Sequence, residues 1–242
     1  MIRGVLTTAT WMTVVDAFAA LAVVGFLYTP DANVLMLGVS ALLVLAAVLL
    51  LLVASTSAAQ SLVHAQTPWR SLPSSLRLLP LVLFGVVVIG VLCGGAGAFE
   101  SWWVSRAGEI DAAAIAVGDV TRTRPLHTAV HWLVLLVQWV VVPAWLATCL
   151  AWVAAYERRD VLGSKWLASA LHWRVLLAAT AGVVLLVWLP WRYVYWRPGA
   201  LPSSMDLVFL ALKIAVIYVL AHVAWALVLW TAAARVTPQP KG

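Results

Sequence analysis

Apolar residues in this sequence gather in long continuous runs, and polar residues are concentrated in the shorter segments between them. A run of about 18 or more apolar residues is long enough to cross the hydrocarbon core of a bilayer, which is about 30 Å thick. Six runs meet or approach this length, and the pattern therefore predicts six membrane-spanning segments. They cover residues 5–28, 34–54, 78–99, 129–155, 175–196 and 207–231.

The six runs are predicted to be helices. None of them alternates apolar with polar residues, as the strands of a membrane β-barrel do. A helix satisfies all its backbone hydrogen bonds internally, which a hydrocarbon surrounding demands. The predicted fold class is therefore all-α, a polytopic bundle of six transmembrane helices that forms a single integral membrane domain over residues 1–242.

The composition agrees with this reading and excludes a soluble protein. Apolar residues make up 64% of the chain and charged residues 10%, and the mean hydropathy is +1.02. A soluble domain has about 45–50% apolar and about 25% charged residues. The net charge of +6 comes from dispersed bases, so a lipid bilayer is the expected partner and nucleic acid is not. Cys93 and Cys149 both lie inside apolar runs, which argues against a disulfide framework or a zinc site.

The distribution of basic residues predicts the orientation, because cytoplasmic loops are enriched in Lys and Arg. With six spans, both termini lie on one side, and that side carries most of the bases. The two sets are Arg3, Arg70, Arg77, Arg158, Arg159, Lys165, Arg174, Arg235 and Lys241 on the terminal side, and Arg106, Arg122, Arg124, Arg192 and Arg197 on the other. We therefore expect both termini to be cytoplasmic and the protein to lie in the inner (plasma) membrane.

Two inner loops, residues 69–77 and 164–172, resemble each other. At an offset of 95 positions, the first places Leu, Ser and Leu where the second has the same residues; the pairs are Leu72 and Leu167, Ser74 and Ser169, and Leu76 and Leu171. Each loop has apolar residues at helical spacing among bases, which is typical of a helix lying in the headgroup plane. The sequence thus predicts three helical hairpins with a short interfacial helix before the second and the third.

The S-L-x-S-x-L segment at residues 71–76, which runs directly into a span, resembles the membrane domain associated with glycerophosphodiester phosphodiesterases and related uncharacterised bacterial multi-pass proteins. The resemblance covers about residues 60–235. It implies a six-helix bundle of unassigned activity, and it supplies no functional residues. A catalytic phosphodiesterase domain is not present in this sequence.

Ionisable residues within spans are candidates for function, because burying a charge in lipid is costly. Asp16 lies near the middle of the first span, and Lys213 lies about two turns into the last. An Asp16–Lys213 pair would neutralise both charges. The alternatives are a structural carboxylate at Asp16 and a Lys213 side chain that extends to the membrane surface. Gln138 and His222 are further candidates for coupling to a substrate or ion, or for structural hydrogen bonds between helices.

His127 and His131 share one helix face at the outer start of the fourth span, a spacing that suits a metal ion. The surrounding sequence contains no H-E-x-x-H pattern, so a solvated pair of histidines is the alternative. A bis-histidine haem site would need histidines at matched depth, whereas His131 lies near the outer end and His222 past the midplane. No cofactor is expected.

Small residues recur at four-residue spacing on two spans, a pattern that lets helices approach closely. Gly90, Gly94 and Ala98 form one such face, and Ala178 and Gly182 form the other. Both are predicted to be packing faces, with contact between identical chains as the alternative. Pro143 is predicted to kink the fourth span.

Familiar catalytic patterns are missing from the sequence: it contains no Walker A, G-x-S-x-G, H-E-x-x-H, Rossmann glycine or C-x-x-C motif. The sequence favours a non-enzymatic integral membrane protein, either a transport-type permease or an accessory subunit of a larger membrane complex. Two alternatives are an intramembrane enzyme that acts on lipids, using Asp16, His127 or His131, and a redox subunit that binds haem or quinone.

Overall fold

A computed structural model of the chain describes residues 2–29, 34–117, 124–156, 169, 171–194 and 203–236. Its regular elements are all helical. The α-helices are α1 (Ile2–Tyr28), α2 (Val34–His64), α3 (Leu72–Ala116), α4 (Arg124–Leu136), α5 (Val142–Tyr156), α6 (Trp173–Ala181), α7 (Leu189–Val194) and α8 (Ser203–Val236). A 3₁₀ turn over Pro68–Ser71 precedes α3, and π-helical turns over Val137–Val141 and Gly182–Trp188 join α4 to α5 and α6 to α7.

Six of the described helical segments are long and apolar enough to cross a membrane. The predicted all-α bundle of six transmembrane helices is thereby confirmed, and the chain is a multi-pass membrane protein. The segments are Ile2–Tyr28, Val34–His64, Pro68–Ala116, Pro125–Tyr156, Trp173–Val194 and Val208–Val236.

The second helix continues to His64, well past the predicted end of its span at Ala54. The polar residues beyond Ala54 are accommodated in the helix, where several of their hydroxyl groups donate hydrogen bonds to carbonyl oxygens of the preceding turn, such as Thr56 Oγ1 to Leu52 O at 2.7 Å. The helix then ends at Ala65, which adopts a left-handed conformation with φ of 52°.

The third helix is a continuous element of 45 residues, so the first predicted interfacial helix is not separate from the span that follows it. Residues 69–77 are divided between the 3₁₀ turn and the first turns of α3. Pro73 in the first turn of α3 explains this start, because its missing N–H would have no helical partner there. The second predicted interfacial helix, residues 164–172, lies largely outside the described residues.

The segment between the third and fourth predicted spans, which begins at Glu100, is also helical as far as Ala116. An ion pair between Arg106 and Glu109, with an N–O distance of 2.7 Å, joins adjacent turns of this extension. At 1.5 Å per residue α3 is about 68 Å long, which is more than twice the thickness of a hydrocarbon core.

Each π-helical turn lies just before a proline, Pro143 in the fourth span and Pro190 in the fifth. A proline ring displaces the carbonyl group four residues earlier, which belongs to Trp139 in the fourth span. A helix can accommodate such a displacement by widening one turn. The kink predicted at Pro143 therefore corresponds to the turn Val137–Val141.

Helix packing is concentrated at one end of the bundle, which we call the packed end. It contains the starts of α1, α3 and α6 and the ends of α2, α5 and α8. Its core is rich in Ala and small polar residues, which allow helix backbones to approach closely. Buried residues there include Ala9, Met12, Ala58, Ala59, Ser75, Val82, Ala151, Val153, Val175, Leu229 and Ala232.

The opposite end, which we call the open end, contains the ends of α1, α3 and α7 and the starts of α2, α4 and α8. Many apolar side chains there are exposed in the isolated chain, including Leu21, Leu27, Leu35, Leu42, Val91, Leu133 and Leu212. Such side chains are the surface that a membrane helix presents to lipid or to another membrane protein.

Candidate functional site

The first and last transmembrane helices are joined near their middles by an ionisable pair. The Nε2 atom of His222 on α8 lies 2.5 Å from Oδ2 of Asp16 on α1. Both side chains are largely buried, with 10% of the His222 side chain and 13% of the Asp16 side chain exposed. Two ionisable groups at this depth are costly unless they bind each other, so the pair is the main candidate for a functional site.

The hydrogen bonds of His222 determine where its protons lie. Nδ1 is 2.7 Å from the carbonyl oxygen of Tyr218, and a carbonyl oxygen only accepts, so Nδ1 donates. A hydrogen bond between Nε2 and Oδ2 then needs one more proton. Either a protonated histidine donates to the Asp16 carboxylate, or a protonated Asp16 donates to a neutral histidine. Both arrangements hold the same number of protons, and both have zero net charge.

The same site includes Tyr218 and Thr13, which hold the two helices in register. The Tyr218 hydroxyl donates to the carbonyl oxygen of Thr13 at 3.2 Å, and its ring lies edge-on to the His222 ring at a centroid distance of 4.4 Å. The second carboxyl oxygen of Asp16, Oδ1, is buried without a hydrogen-bond partner among the described residues. One oxygen of the site is therefore an unused acceptor.

Lys213 does not bind Asp16 in the structure, contrary to the pair considered from the sequence. Its Nζ atom donates to the carbonyl oxygen of Val194 at 3.1 Å and lies 4.5 Å from the centroid of the Phe209 ring. Lys213 and His222 are nine positions apart, so the two lie on opposite faces of α8 and about 14 Å apart along its axis. A lysine on the opposite face cannot reach the carboxyl group that His222 contacts.

Gln138 belongs to the π-helical turn Val137–Val141 and is half-buried. This turn packs against α3 and α6, whereas Asp16 and His222 join α1 to α8. The structure therefore does not bring Gln138 to the ionisable pair.

The two histidines at the start of α4 have different surroundings. Nδ1 of His131 lies 2.7 Å from Oε1 of Glu100 on α3, and this pair is partly exposed. Nδ1 of His127 is buried and has no hydrogen-bond partner in the part of the chain that the structure describes. In the part of the chain that the structure describes, no three His, Cys, Asp or Glu side chains converge as metal ligands. His131 and Glu100 thus form a hydrogen-bonded pair rather than part of such a group.

The two small-residue faces also differ. Gly90, Gly94 and Ala98 are exposed, and a Cβ atom built on either glycine would have no neighbour within 4 Å. Gly182 is buried, and a Cβ atom there would lie 3.2 Å from Cβ of Ala224 on α8. Ala178, one turn earlier, is half-buried.

A close helix contact that the sequence pattern did not indicate is formed by Gly85. A Cβ atom on Gly85 would lie 2.8 Å from Sγ of Cys149, so α3 and α5 approach each other there. Gly85 has no small residue four positions before or after it, which is the signal that the pattern relies on.

A second group missed from the sequence is a buried polar cluster at the packed end. Oε1 of Gln60 accepts hydrogen bonds from the hydroxyl groups of Ser74 at 2.7 Å and Ser75 at 2.9 Å. Nearby, Nε1 of Trp11 donates to Oγ of Ser57 at 2.9 Å. The polar run after Ala54 was not assigned to a span, so its residues were not considered as buried partners. The cluster joins α2 to α1 and α3.

No known protein family matches this chain, and neither the curated proteins nor the solved structures include one that is significantly similar to it. The resemblance to the phosphodiesterase-associated membrane domain stays a prediction. Functional inference for this membrane protein therefore depends on the geometry described above.

Proposed function

We propose that this membrane protein is a transport-type permease whose cycle is coupled to the proton shared by Asp16 and His222. The observation that carries the proposal is the 2.5 Å contact between Nε2 and Oδ2 near the middle of the bundle. Releasing the shared proton would leave one net negative charge among apolar helices, which is costly. Release of the proton is therefore favoured only when the surroundings of the pair change or when another cation binds at the site. Coupling of proton release to substrate transport requires this dependence.

Two features of the pair support this function over a redox subunit that uses His222 as a haem ligand. Both ring nitrogens of His222 already have partners, Tyr218 O and Asp16 Oδ2, so neither is available to iron. In addition, Asp16 Oδ1 is an unused acceptor beside the proton. A substrate cation or hydrogen-bond donor that binds Oδ1 would compete directly with proton binding.

The proposal is tested by adsorbing proteoliposomes to a solid-supported membrane and recording the charge displaced by a rapid pH change. The wild-type protein is expected to give a transient current. Asp16→Asn is expected to abolish most of it, because the Asn amide can donate to neutral His222 without carrying a titratable proton.

Glu100→Gln is the matched control, since Glu100 also binds a histidine but lies at the open end and is partly exposed. It is expected to keep the current of the wild type. A wild-type current that Asp16→Asn leaves unchanged, in a protein of normal thermal stability, would contradict the proposal.

A second candidate function, an accessory subunit of a larger membrane complex, is favoured by the exposed small-residue face of Gly90, Gly94 and Ala98. Such a face permits close contact with a helix of another chain. Purification in a mild detergent followed by mass spectrometry would then recover a second membrane protein in fixed ratio, and recovery of this chain alone would argue against a subunit role.

We further propose that both termini are cytoplasmic and that the protein lies in a bacterial inner membrane. The basic residues on the terminal side support this orientation. In addition, Val5 and Ala9 near the start of α1 pack against Ala226 in the second half of α8, so the two helices run antiparallel with the start of α1 towards the end of α8. A reporter fused after Gly242 and another inserted within residues 107–120 are expected to label opposite sides of the membrane. Labelling on the same side would contradict the orientation.

A further inference from the structure

Three helix ends meet at one corner of the packed end and bring basic side chains together. The Tyr156 hydroxyl at the end of α5 donates to the carbonyl oxygen of Val236 at the end of α8, at 3.4 Å. Val175 in the first turn of α6 belongs to the same core as Val236. This packing places His172 and Arg174 at the start of α6 close to Arg235 in the last turn of α8.

The basic corner, which we define as His172, Arg174 and Arg235, has no acidic partner among the described residues. Neither arginine forms an ion pair with a described residue, and the described acidic residues lie in mid-membrane or towards the open end. The pKa of His172 is lowered, first by its partial removal from water and then by the charges of Arg235 and Arg174. Positive charge concentrated at a membrane surface attracts an anion.

The surroundings of the basic corner suit a lipid better than a free phosphate ion. The Arg174 guanidinium stacks over the Trp173 ring, 5.3 Å from its centroid. Trp173 is 61% exposed and Leu177, one turn further along, is 59% exposed. Thr180 and Val184 continue the same exposed face into the span. A ligand that has both a phosphate group and acyl chains would contact the arginines and this apolar face together.

We propose that the basic corner binds the phosphate of an anionic phospholipid, with an acyl chain of that lipid along the face of Trp173, Leu177 and Val184. Arg174 and Arg235 contact the phosphate from two helices, so the bound lipid links α6 to α8. Tryptophan at the boundary between headgroups and hydrocarbon is the position that this residue favours in membrane proteins. The inference is independent of the proton site, which lies on the first and last helices at mid-membrane depth.

The proposal is tested by native mass spectrometry of the full chain in detergent, with phosphatidylglycerol or phosphatidylcholine added at equal concentrations. The wild type is expected to retain phosphatidylglycerol preferentially. Each basic side chain near an anionic surface contributes about fivefold in affinity, so Arg174→Gln and Arg235→Gln are each expected to reduce that retention about fivefold. The double variant is expected to reduce it about 25-fold.

Arg192→Gln is the matched control, because Arg192 also stacks on a tryptophan, Trp188, at a centroid distance of 5.0 Å. It lies in α7 at the open end and is expected to keep the lipid preference. Because Arg174 and Arg235 are exposed, the single variants are expected to unfold at the wild-type temperature.

Three outcomes would overturn the proposal. The wild type could retain the two lipids equally, or Arg192→Gln could lower retention as much as the two corner variants do. Alternatively, millimolar inorganic phosphate could displace phosphatidylglycerol completely, which would identify a plain anion site instead of a lipid site.

Discussion

Gly85 and Gly90 lie five residues apart on α3, yet an added side chain would meet different surroundings at the two positions. At Gly85 a Cβ atom would lie 2.8 Å from Sγ of Cys149, whereas at Gly90 it would meet nothing within 4 Å. Gly85→Ala is therefore expected to lower the free energy of unfolding by about 1–3 kcal/mol, the usual cost of overpacking. Gly90→Ala is expected to be neutral or mildly stabilising. Unfolding in a detergent–denaturant titration measures both.

The partner of Gly85 provides the control for this prediction. Replacing Cys149 by Ala removes the sulfur atom that the new Cβ would contact, so Gly85→Ala is expected to cost less in a Cys149→Ala background. If Gly85→Ala lowers the free energy of unfolding equally in the wild type and in the Cys149→Ala background, α3 and α5 do not approach each other at this point.

Ala65 is the only described residue other than glycine with a positive φ, at 52°. The amide of Gln66 donates to the carbonyl oxygen of Ser61 at 3.1 Å, which is the hydrogen bond of a helix end closed by a left-handed residue. Because glycine adopts this conformation without a Cβ clash, Ala65→Gly is expected to raise the free energy of unfolding by about 1 kcal/mol.

The matched control is Ala112→Gly, which introduces the same substitution at an exposed position inside α3. It is expected to lower the free energy of unfolding by up to about 1 kcal/mol, because glycine is a poor helix former. If Ala65→Gly and Ala112→Gly change the free energy of unfolding in the same direction, the left-handed helix end at Ala65 is excluded.

Among the helices, α3 differs most from the span that its sequence predicts. Its 45 residues are longer than the thickness of a hydrocarbon core requires, and its last turns are predicted to be exposed to water. In a background with Cys93 and Cys149 replaced by Ala, we expect a membrane-impermeant maleimide to label Gly108→Cys and Ala112→Cys. Val87→Cys, in the middle of the predicted span 78–99 of this helix, is expected to stay unlabelled. Labelling of Val87→Cys at the same rate would contradict this placement of α3.

The helix ends show where sequence reasoning was accurate and where it was not. Apolar length predicted the six spans because that length is fixed by the bilayer. The continuation of α2 to His64 was not predicted, because its polar residues resemble a loop in the sequence, whereas in the structure they are helical and largely buried. The π-helical turn before Pro143 was anticipated only as a kink.

For the whole molecule, the Asp16–His222 pair matters because it joins the first helix to the last and so closes the bundle. Breaking a buried pair by removing one partner typically costs about 3–5 kcal/mol, since the other group is left without compensation. We expect Asp16→Leu and His222→Leu each to destabilise the protein by an amount of this order. The double substitution is expected to recover much of the loss, because neither polar group then remains buried alone.

Lys213→Met is the comparison, because Lys213 lies on the opposite face of α8 and donates to a backbone carbonyl group. Its expected cost is about 1.5–3 kcal/mol, the value of a hydrogen bond made by a charged group, which is less than that of removing one partner of the buried pair. The readout is the thermal unfolding midpoint in one detergent for all four variants. Additive losses in the double variant would show that Asp16 and His222 do not interact in the membrane.

The sequence by itself determined the fold class, the number of spans and the identity of the buried ionisable residues. Each of these follows from a local property, since apolar length defines a span and a charge inside it stands out whatever surrounds it. Only the tertiary structure decided that Asp16 binds His222 and not Lys213, and that Gly85 rather than Gly90 lies in a helix contact. Those choices depend on how far each helix is rotated about its own axis, which is set by packing against neighbours that are distant in the chain.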